Sequence, residues 1–174
     1  MTCRRFFLFA LLIFFVSPSA GVAQEPLDGG VPSFRSTSLP LPRFVSLRSD
    51  KVYARTGPGL RYPIRWVYKR ENLPVEIVQE FDTWRKIKDS DGDEGWVHTS
   101  MISGERTVFI EGETLLPLRE GKGENFRMTA RLEPGVTAFL DRCEGEWCRL
   151  HTDGYRGWAE RKFLWGIYAN EKFD

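Results

Sequence analysis

The chain has 174 residues, with 25 basic against 24 acidic side chains and 14% aromatic residues. That length allows one ordinary domain or two very small ones. Charge so nearly balanced argues against sequence-independent nucleic-acid binding, which depends on a basic excess.

The first residues differ in kind from the rest. Arg4 and Arg5 precede the apolar run Phe6 to Val16, and small residues then lead to Ala23. This order predicts a secretory signal peptide over residues 1–23, cut after Ala23. The alternative, a retained anchor, is weakened because the run is too short to cross about 30 Å of hydrocarbon comfortably. The arginine pair also brushes against a twin-arginine signal, but the very apolar run and the lack of a cofactor motif favour ordinary secretion. Cleavage leaves 23 basic against 24 acidic side chains, no stable membrane span and a periplasmic or secreted protein. Cys3 leaves too, so Cys143 and Cys148 remain. In an oxidising compartment an even pair reads first as a disulfide. The intervening Glu144-Gly145-Glu146-Trp147 reads as a tight turn that would bring the two into bridging range.

Residues 24–42 hold four prolines, two adjacent glycines and several serines with no hydrophobic period, which predicts a flexible linker. From Arg43 onward the chain reads as short strands. Two tryptophan hairpins stand out. Trp84 to Val97 reads WRKIKDSDGDEGWV, and Trp147 to Glu160 reads WCRLHTDGYRGWAE. Each is an alternating strand, a run of turn residues, and a second strand reopened by Gly-Trp.

These hairpins belong to an internal repeat. Arg55, Gly57, Gly59 and Tyr62 fall on Arg119, Gly121, Gly123 and Phe126 at an offset of 64. With single losses in turns, Trp84 falls on Trp147 and Gly95-Trp96 on Gly157-Trp158. Each copy holds about five short strands, too few for a deep sandwich. Closure into a small bent barrel avoids long bare edges. The expected fold is all-β, with barrels at 43–108 and 109–168 and a tail at 169–174. A core this small is marginal alone, which gives a reason for a disulfide and for packing the copies together.

The run Tyr53-Ala-Arg55-Thr-Gly-Pro-Gly59, then Pro63, Trp84-Arg-Lys-Ile and Glu94-Gly-Trp96-Val, resembles the exported bacterial SH3 domain. The second copy keeps Arg119, Gly121, Gly123, Trp147, Gly157 and Trp158, but lacks the proline and has Ala159 for valine. The resemblance spans roughly residues 44–166. It implies two SH3-like barrels with no catalytic activity of their own. It also implies ligands such as peptidoglycan stem peptides or proteins.

Arg55 and Arg119 end the first strand of each copy. Each reads either as a cation for a ligand carboxylate or, more simply, as a structural arginine bonded to loop carbonyls. Trp84, Trp96, Trp147 and Trp158 read as core or half-core filling. Tyr53, Tyr62, Trp66 and Tyr68 occur in one copy only, interleaved with Arg61, Arg65, Lys69 and Arg70. They form either an exposed aromatic and basic groove or a seam between the barrels. The candidate ligand-binding residues are therefore Tyr53, Arg55, Tyr62, Arg65, Trp66 and Tyr68. Asp89, Asp91 and Asp93 miss the calcium-loop pattern, because Glu94 and Ser100 stand where glycine and glutamate are needed. No metal or other cofactor is expected. His98 and His151 lie in different copies, and no GxSxG, HExxH or phosphate loop is present. A thiol peptidase built from Cys143 or Cys148 with His151 would require the disulfide to be absent. The expected function is non-enzymatic binding in the cell envelope, to peptidoglycan or its stem peptides. The alternative is binding to a peptide of another envelope protein, such as a wall hydrolase.

Overall fold

The computed structural model describes residues 37–174. The expected signal peptide, and the linker up to Ser36, lie outside the described residues. Two seven-stranded antiparallel sheets follow, each wrapped on its own core as an SH3-like barrel.

The first barrel contains β1 (Arg43–Leu47), β2 (Val52–Arg55), β3 (Ile64–Tyr68), β4 (Pro74–Phe81), β5 (Trp84–Lys88), β6 (Glu94–His98) and β7 (Ile102–Ser103). The second contains β8 (Thr107–Ile110), β9 (Leu116–Arg119), β10 (Met128–Leu132), β11 (Thr137–Glu144), β12 (Trp147–Thr152), β13 (Tyr155–Glu160) and β14 (Leu164–Trp165). Strand order is β3-β2-β6-β5-β4-β1-β7 in the first sheet and β10-β9-β13-β12-β11-β8-β14 in the second. The second is the first repeated strand for strand.

Both tryptophan hairpins form. β5 pairs with β6 from Trp84↔His98 to Lys88↔Glu94, and β12 pairs with β13 from Trp147↔Glu160 to Thr152↔Tyr155. The first turn is closed by Asp89, whose carboxylate accepts from the backbone N–H groups of Asp91 and Asp93. The second is a two-residue turn in which Asp153 and Gly154 both have positive φ. That backbone suits the twist of a tight hairpin, and Asp-Gly is a favoured pair for it.

Alternation along the strands builds the cores. Val45, Leu47, Val52, Ala54, Val75, Ile77, Ile87 and Val97 fill the first. The second is built around Val108, Ile110, Leu118, Leu150 and the Cys143–Cys148 pair. Trp84, Trp96 and Trp158 are buried as well, outside these two central clusters. They lie on the outward side of the sheets, where other side chains cover them. The expected core or half-core burial is thus met, with Trp147 half-buried.

Each barrel has seven strands rather than five, and the boundary expected at 108/109 falls inside β8. Thr107 and Val108 already pair with β11. The expected tail is also part of the structure. Cys143 N–H donates to the Phe173 carbonyl at 2.7 Å, and Arg161 donates to the carbonyls of Tyr168, Ala169 and Glu171.

The barrels pack directly on each other. The Phe44 ring lies 5.0 Å edge-on from Trp165 and 4.7 Å from Tyr168. Tyr168 donates its hydroxyl to Glu76, and Thr107 donates to the Asn72 carbonyl, each at 2.8 Å. Arg106 lies over Phe44 and pairs with Glu171 at 2.6 Å. Burial and the bond to Glu76 push the Tyr168 hydroxyl well above its ordinary value, so it stays a neutral donor at any ordinary pH. Among the described residues no helix is long and apolar enough to cross a membrane.

Candidate ligand groove

An open groove of about 640 Å³ lies in the first barrel. Tyr53, in the middle of β2, points outward because its neighbours Val52 and Ala54 point into the core. Leu60, at the tip of the glycine-rich loop, is 78% exposed and forms one wall. Trp84 forms the floor, only 9% exposed, with Met101, Thr83, His98 and Ser100 completing the lining. Trp84 and His98 face each other across β5 and β6, ring to ring at 5.5 Å and nearly perpendicular.

His98 and Ser100 are in contact, Nδ1 to Oγ at 2.8 Å, but the geometry is that of a turn cap. The same Nδ1 accepts from the Ser100 backbone N–H at 3.2 Å, at the start of a short 3-10 turn over Thr99–Met101. A histidine held this way offers a polar rim to an apolar groove. Arg55 also reaches the groove. Its guanidinium is already committed, donating to the carbonyls of Leu60 and Tyr62 at 3.1 and 2.7 Å. Arg119 repeats the contact on the Phe126 carbonyl at 2.9 Å. The arginine therefore ties the loop to the sheet in both barrels, as the simpler expectation had it.

The six residues expected to form one ligand site are divided by the fold. Tyr53 and Arg55 line the groove. Trp66 and Tyr68 pair with Ala54 and Val52 in β2 and pack against the core instead. Trp66 Nε1 donates to the Tyr68 hydroxyl, which donates to Asp89 at 3.0 Å. Burial and the Asp89 carboxylate hold the Tyr68 hydroxyl well above its ordinary range. Tyr62 folds back under its own loop, where a Cβ on Gly57 would come within 2.5 Å of its ring. Arg65 lies over the Trp66 ring at 5.2 Å and lines a separate shallow cleft with Lys86 and Glu94. These aromatics also do not form the seam between the barrels, which is built from Phe44, Trp165 and Tyr168.

Sequence reasoning missed Leu60, Trp84, His98, Ser100 and Met101. The register of the Trp84 hairpin carried a signal for one of them, since pairing its two ends sets His98 opposite Trp84. The second barrel has a smaller cleft at the matching place, about 260 Å³, lined by Pro117, Arg119, Glu124, Glu160 and Phe163. There Pro117 replaces Tyr53, Glu124 replaces Leu60 and Glu160 replaces His98, so the aromatic groove belongs to the first barrel alone.

The disulfide between Cys143 and Cys148 is present, with the Cα atoms 4.1 Å apart. His151 lies on the opposite face of β12, stacked on Phe139 at 5.0 Å and bonded to Asp141 at 2.6 Å. The thiols that a peptidase would need are bonded to each other and face the core.

A family model agrees with this architecture. The family model described as bacterial SH3 domain matches residues 48–104 and again 112–166. A Bacillus subtilis (strain 168) protein named "Putative N-acetylmuramoyl-L-alanine amidase YrvJ" is 25% identical over 129 residues, covering 68% of this chain and 24% of that protein. The chain thus spans about a quarter of that relative's length. Among solved structures, NlpC2 of Trichomonas vaginalis aligns with a TM-score of 0.35 and 10% identity, over 78% of this chain and 52% of that one. NlpC1 of the same organism aligns with a TM-score of 0.34 and 12% identity, over 74% and 47%. With its family model matched twice across most of the described residues, the chain belongs to the bacterial SH3 domain family, in two tandem copies.

Proposed function

We propose that this chain is a non-enzymatic binding module of the cell envelope, and that the groove of the first barrel takes stem peptides of peptidoglycan. The observation that carries this reading is the groove itself. Exposed Tyr53 and Leu60 stand over Trp84, with His98 and Ser100 at the rim, in one barrel and not in its twin. A fold requirement would have kept Tyr53, Leu60 and His98 in both copies, as it kept Trp84 in Trp147, but the second copy has Pro117, Glu124 and Glu160. Aromatic and aliphatic walls with a few polar groups suit a short peptide bearing small side chains. The amidase relative supports the class of ligand, because its name specifies the bond between muramic acid and L-alanine. Fold alone does not carry function from that enzyme.

The test is co-sedimentation of the purified protein with peptidoglycan sacculi, beside a Tyr53→Ala/Leu60→Ser variant. Neither side chain belongs to the core, Tyr53 being 41% and Leu60 78% exposed, so the variant keeps its core, and circular dichroism checks this. Native protein in the pellet and variant in solution supports the groove. Competition by soluble stem peptide separates wall binding from binding to an envelope protein. If native protein stays in solution at low salt, the wall reading fails.

A further inference from the structure

The outward face of β11, β12 and β13 carries a second binding surface, and we infer that it holds carboxylates of the same wall polymer. The assignment of the polymer rests on the function proposed above; the location of the surface does not. Because the two barrels share one register, the same face can be read twice. Gln79 pairs with Lys86 in the first barrel and Arg142 with Arg149 in the second. Glu94 pairs with Lys88 in the first, and Arg156 with His151 in the second. Glu76, opposite Lys88, becomes Phe139 opposite His151. At three equivalent positions the second barrel has exchanged a glutamine and two glutamates for two arginines and a phenylalanine. The fold is unchanged, so the exchange belongs to the surface.

The ion pairs show the consequence. On the first barrel Lys88 has Glu76 at 2.5 Å and Lys86 has Glu94, one carboxylate for each cation. On the second, Asp141 is shared by His151 at 2.6 Å, Arg156 at 3.2 Å and Arg149 at 4.0 Å. Glu144 is shared by Lys122 and by Arg142 at 3.4 Å. The arginine and lysine side chains remain 39 to 56% exposed. Cations therefore outnumber the carboxylates that serve them, and they do so in open solvent. Arg142 and Arg149 sit on adjacent strands, about 4.8 Å apart in the sheet, and Arg156 lies on the next. A guanidinium fork donates two parallel N–H bonds to a carboxylate. Trp158, beneath Lys122 and Arg142 at 5.3 Å each, keeps that side of the row flat. A polymer with carboxylates at repeating intervals would complete the pairings that Asp141 and Glu144 leave short.

The experiment compares the native protein with an Arg142→Gln/Arg149→Gln/Arg156→Gln variant on sacculi at low salt, with Lys86→Gln/Lys88→Gln, which removes two charges from the matching face of the first barrel, as the control. The triple variant is expected to bind at least fivefold more weakly and with less salt dependence, and the control within twofold of native. Sacculi whose carboxylates have been converted to amides should lower native binding to the level of the triple variant. That arm needs no mutant. Sacculi stripped of phosphodiester-linked polymers should bind as before, and a loss there would assign the face to phosphate and overturn the inference. Native binding that ignores amidation would overturn it as well. Poly-L-glutamate is the second probe. If sacculi bind nothing, while poly-L-glutamate is held by native protein and not by the triple variant, the anion face stands and the wall reading falls.

Discussion

Glu80 and Arg85 face each other across β4 and β5 at the register position that Cys143 and Cys148 hold across β11 and β12. One barrel closes that end of its hairpin with a buried ion pair, at 3.3 Å, and the other with a covalent bond. Both Glu80 and Arg85 are almost fully buried. Burial alone would push the Glu80 carboxyl up, but hydrogen bonds from Arg43 and Thr37 outweigh it and hold the group below its usual range.

Breaking a buried pair by removing one partner costs about 3–5 kcal/mol, because the other charge is stranded. Glu80→Ala is therefore expected to lower the urea midpoint of the first barrel sharply. A Glu80→Cys/Arg85→Cys double variant should form a disulfide under oxidising conditions, as judged by loss of titratable thiols. The chain-entropy model assigns so short a loop about 2 kcal/mol. Thiols that stay free after oxidation would show that the two hairpin ends are not equivalent.

Acid should loosen the seam between the barrels. Burial would raise the Glu171 carboxyl, but bonds from Arg106 and the Tyr168 backbone N–H outweigh it, so it lies below the ordinary 4.5. A lowered folded value means stability that is fully present above the ordinary carboxylate range and is lost as pH falls through the folded value. Denaturation midpoints measured from pH 7 to pH 3 should fall below about pH 4.5. Glu171→Gln should begin lower and fall less. Parallel curves for the two proteins would assign the acid limb to other groups.

Tyr168→Phe removes the hydroxyl that Glu76 accepts. A hydrogen bond to a charged group contributes about 1.5–3 kcal/mol. Glu76 keeps Lys88 as a partner, so the lower end of that range is expected. Phe44→Ala removes the ring that Trp165 and Tyr168 pack on and should cost about 3–5 kcal/mol. Trp165 sits at the seam, so its emission should change before the far-ultraviolet dichroism does. Coincident transitions in Phe44→Ala would mean that the barrels unfold as one even without the ring.

The glycine-rich loop of the first barrel is built on Tyr62. Gly57→Ala places a methyl group within 2.5 Å of that ring and should displace it. Because Arg55 holds the loop through the Leu60 and Tyr62 carbonyls, groove binding should weaken without any groove residue having been changed. Tyr62→Ala should act the same way, by loosening the loop. Thermal melting together with sacculus binding checks both, and native-like binding in Gly57→Ala would show that loop position is irrelevant to the groove.

The repeat, the all-β fold and the structural arginines were legible because each leaves a local mark. Gly-Trp must reopen a strand, glycines must sit where an aromatic ring leaves no room for a Cβ, and the spacing recurs. The groove was only half legible. Strand alternation could have separated Tyr53 from Trp66 and Tyr68, but only once the β2–β3 register was known. That register sets Trp66 and Tyr68 opposite Ala54 and Val52, and it depends on a loop whose length leaves no period to read. What the sequence by itself determined was a pair of small barrels of one design, since hydrophobic alternation and turn chemistry act over a few residues. Tertiary structure alone decided which aromatics meet at the groove, that β8 belongs to the second barrel, and that four cations and a histidine share two carboxylates on one face. Those facts depend on which strands lie side by side, and neighbours in a barrel come from distant parts of the chain.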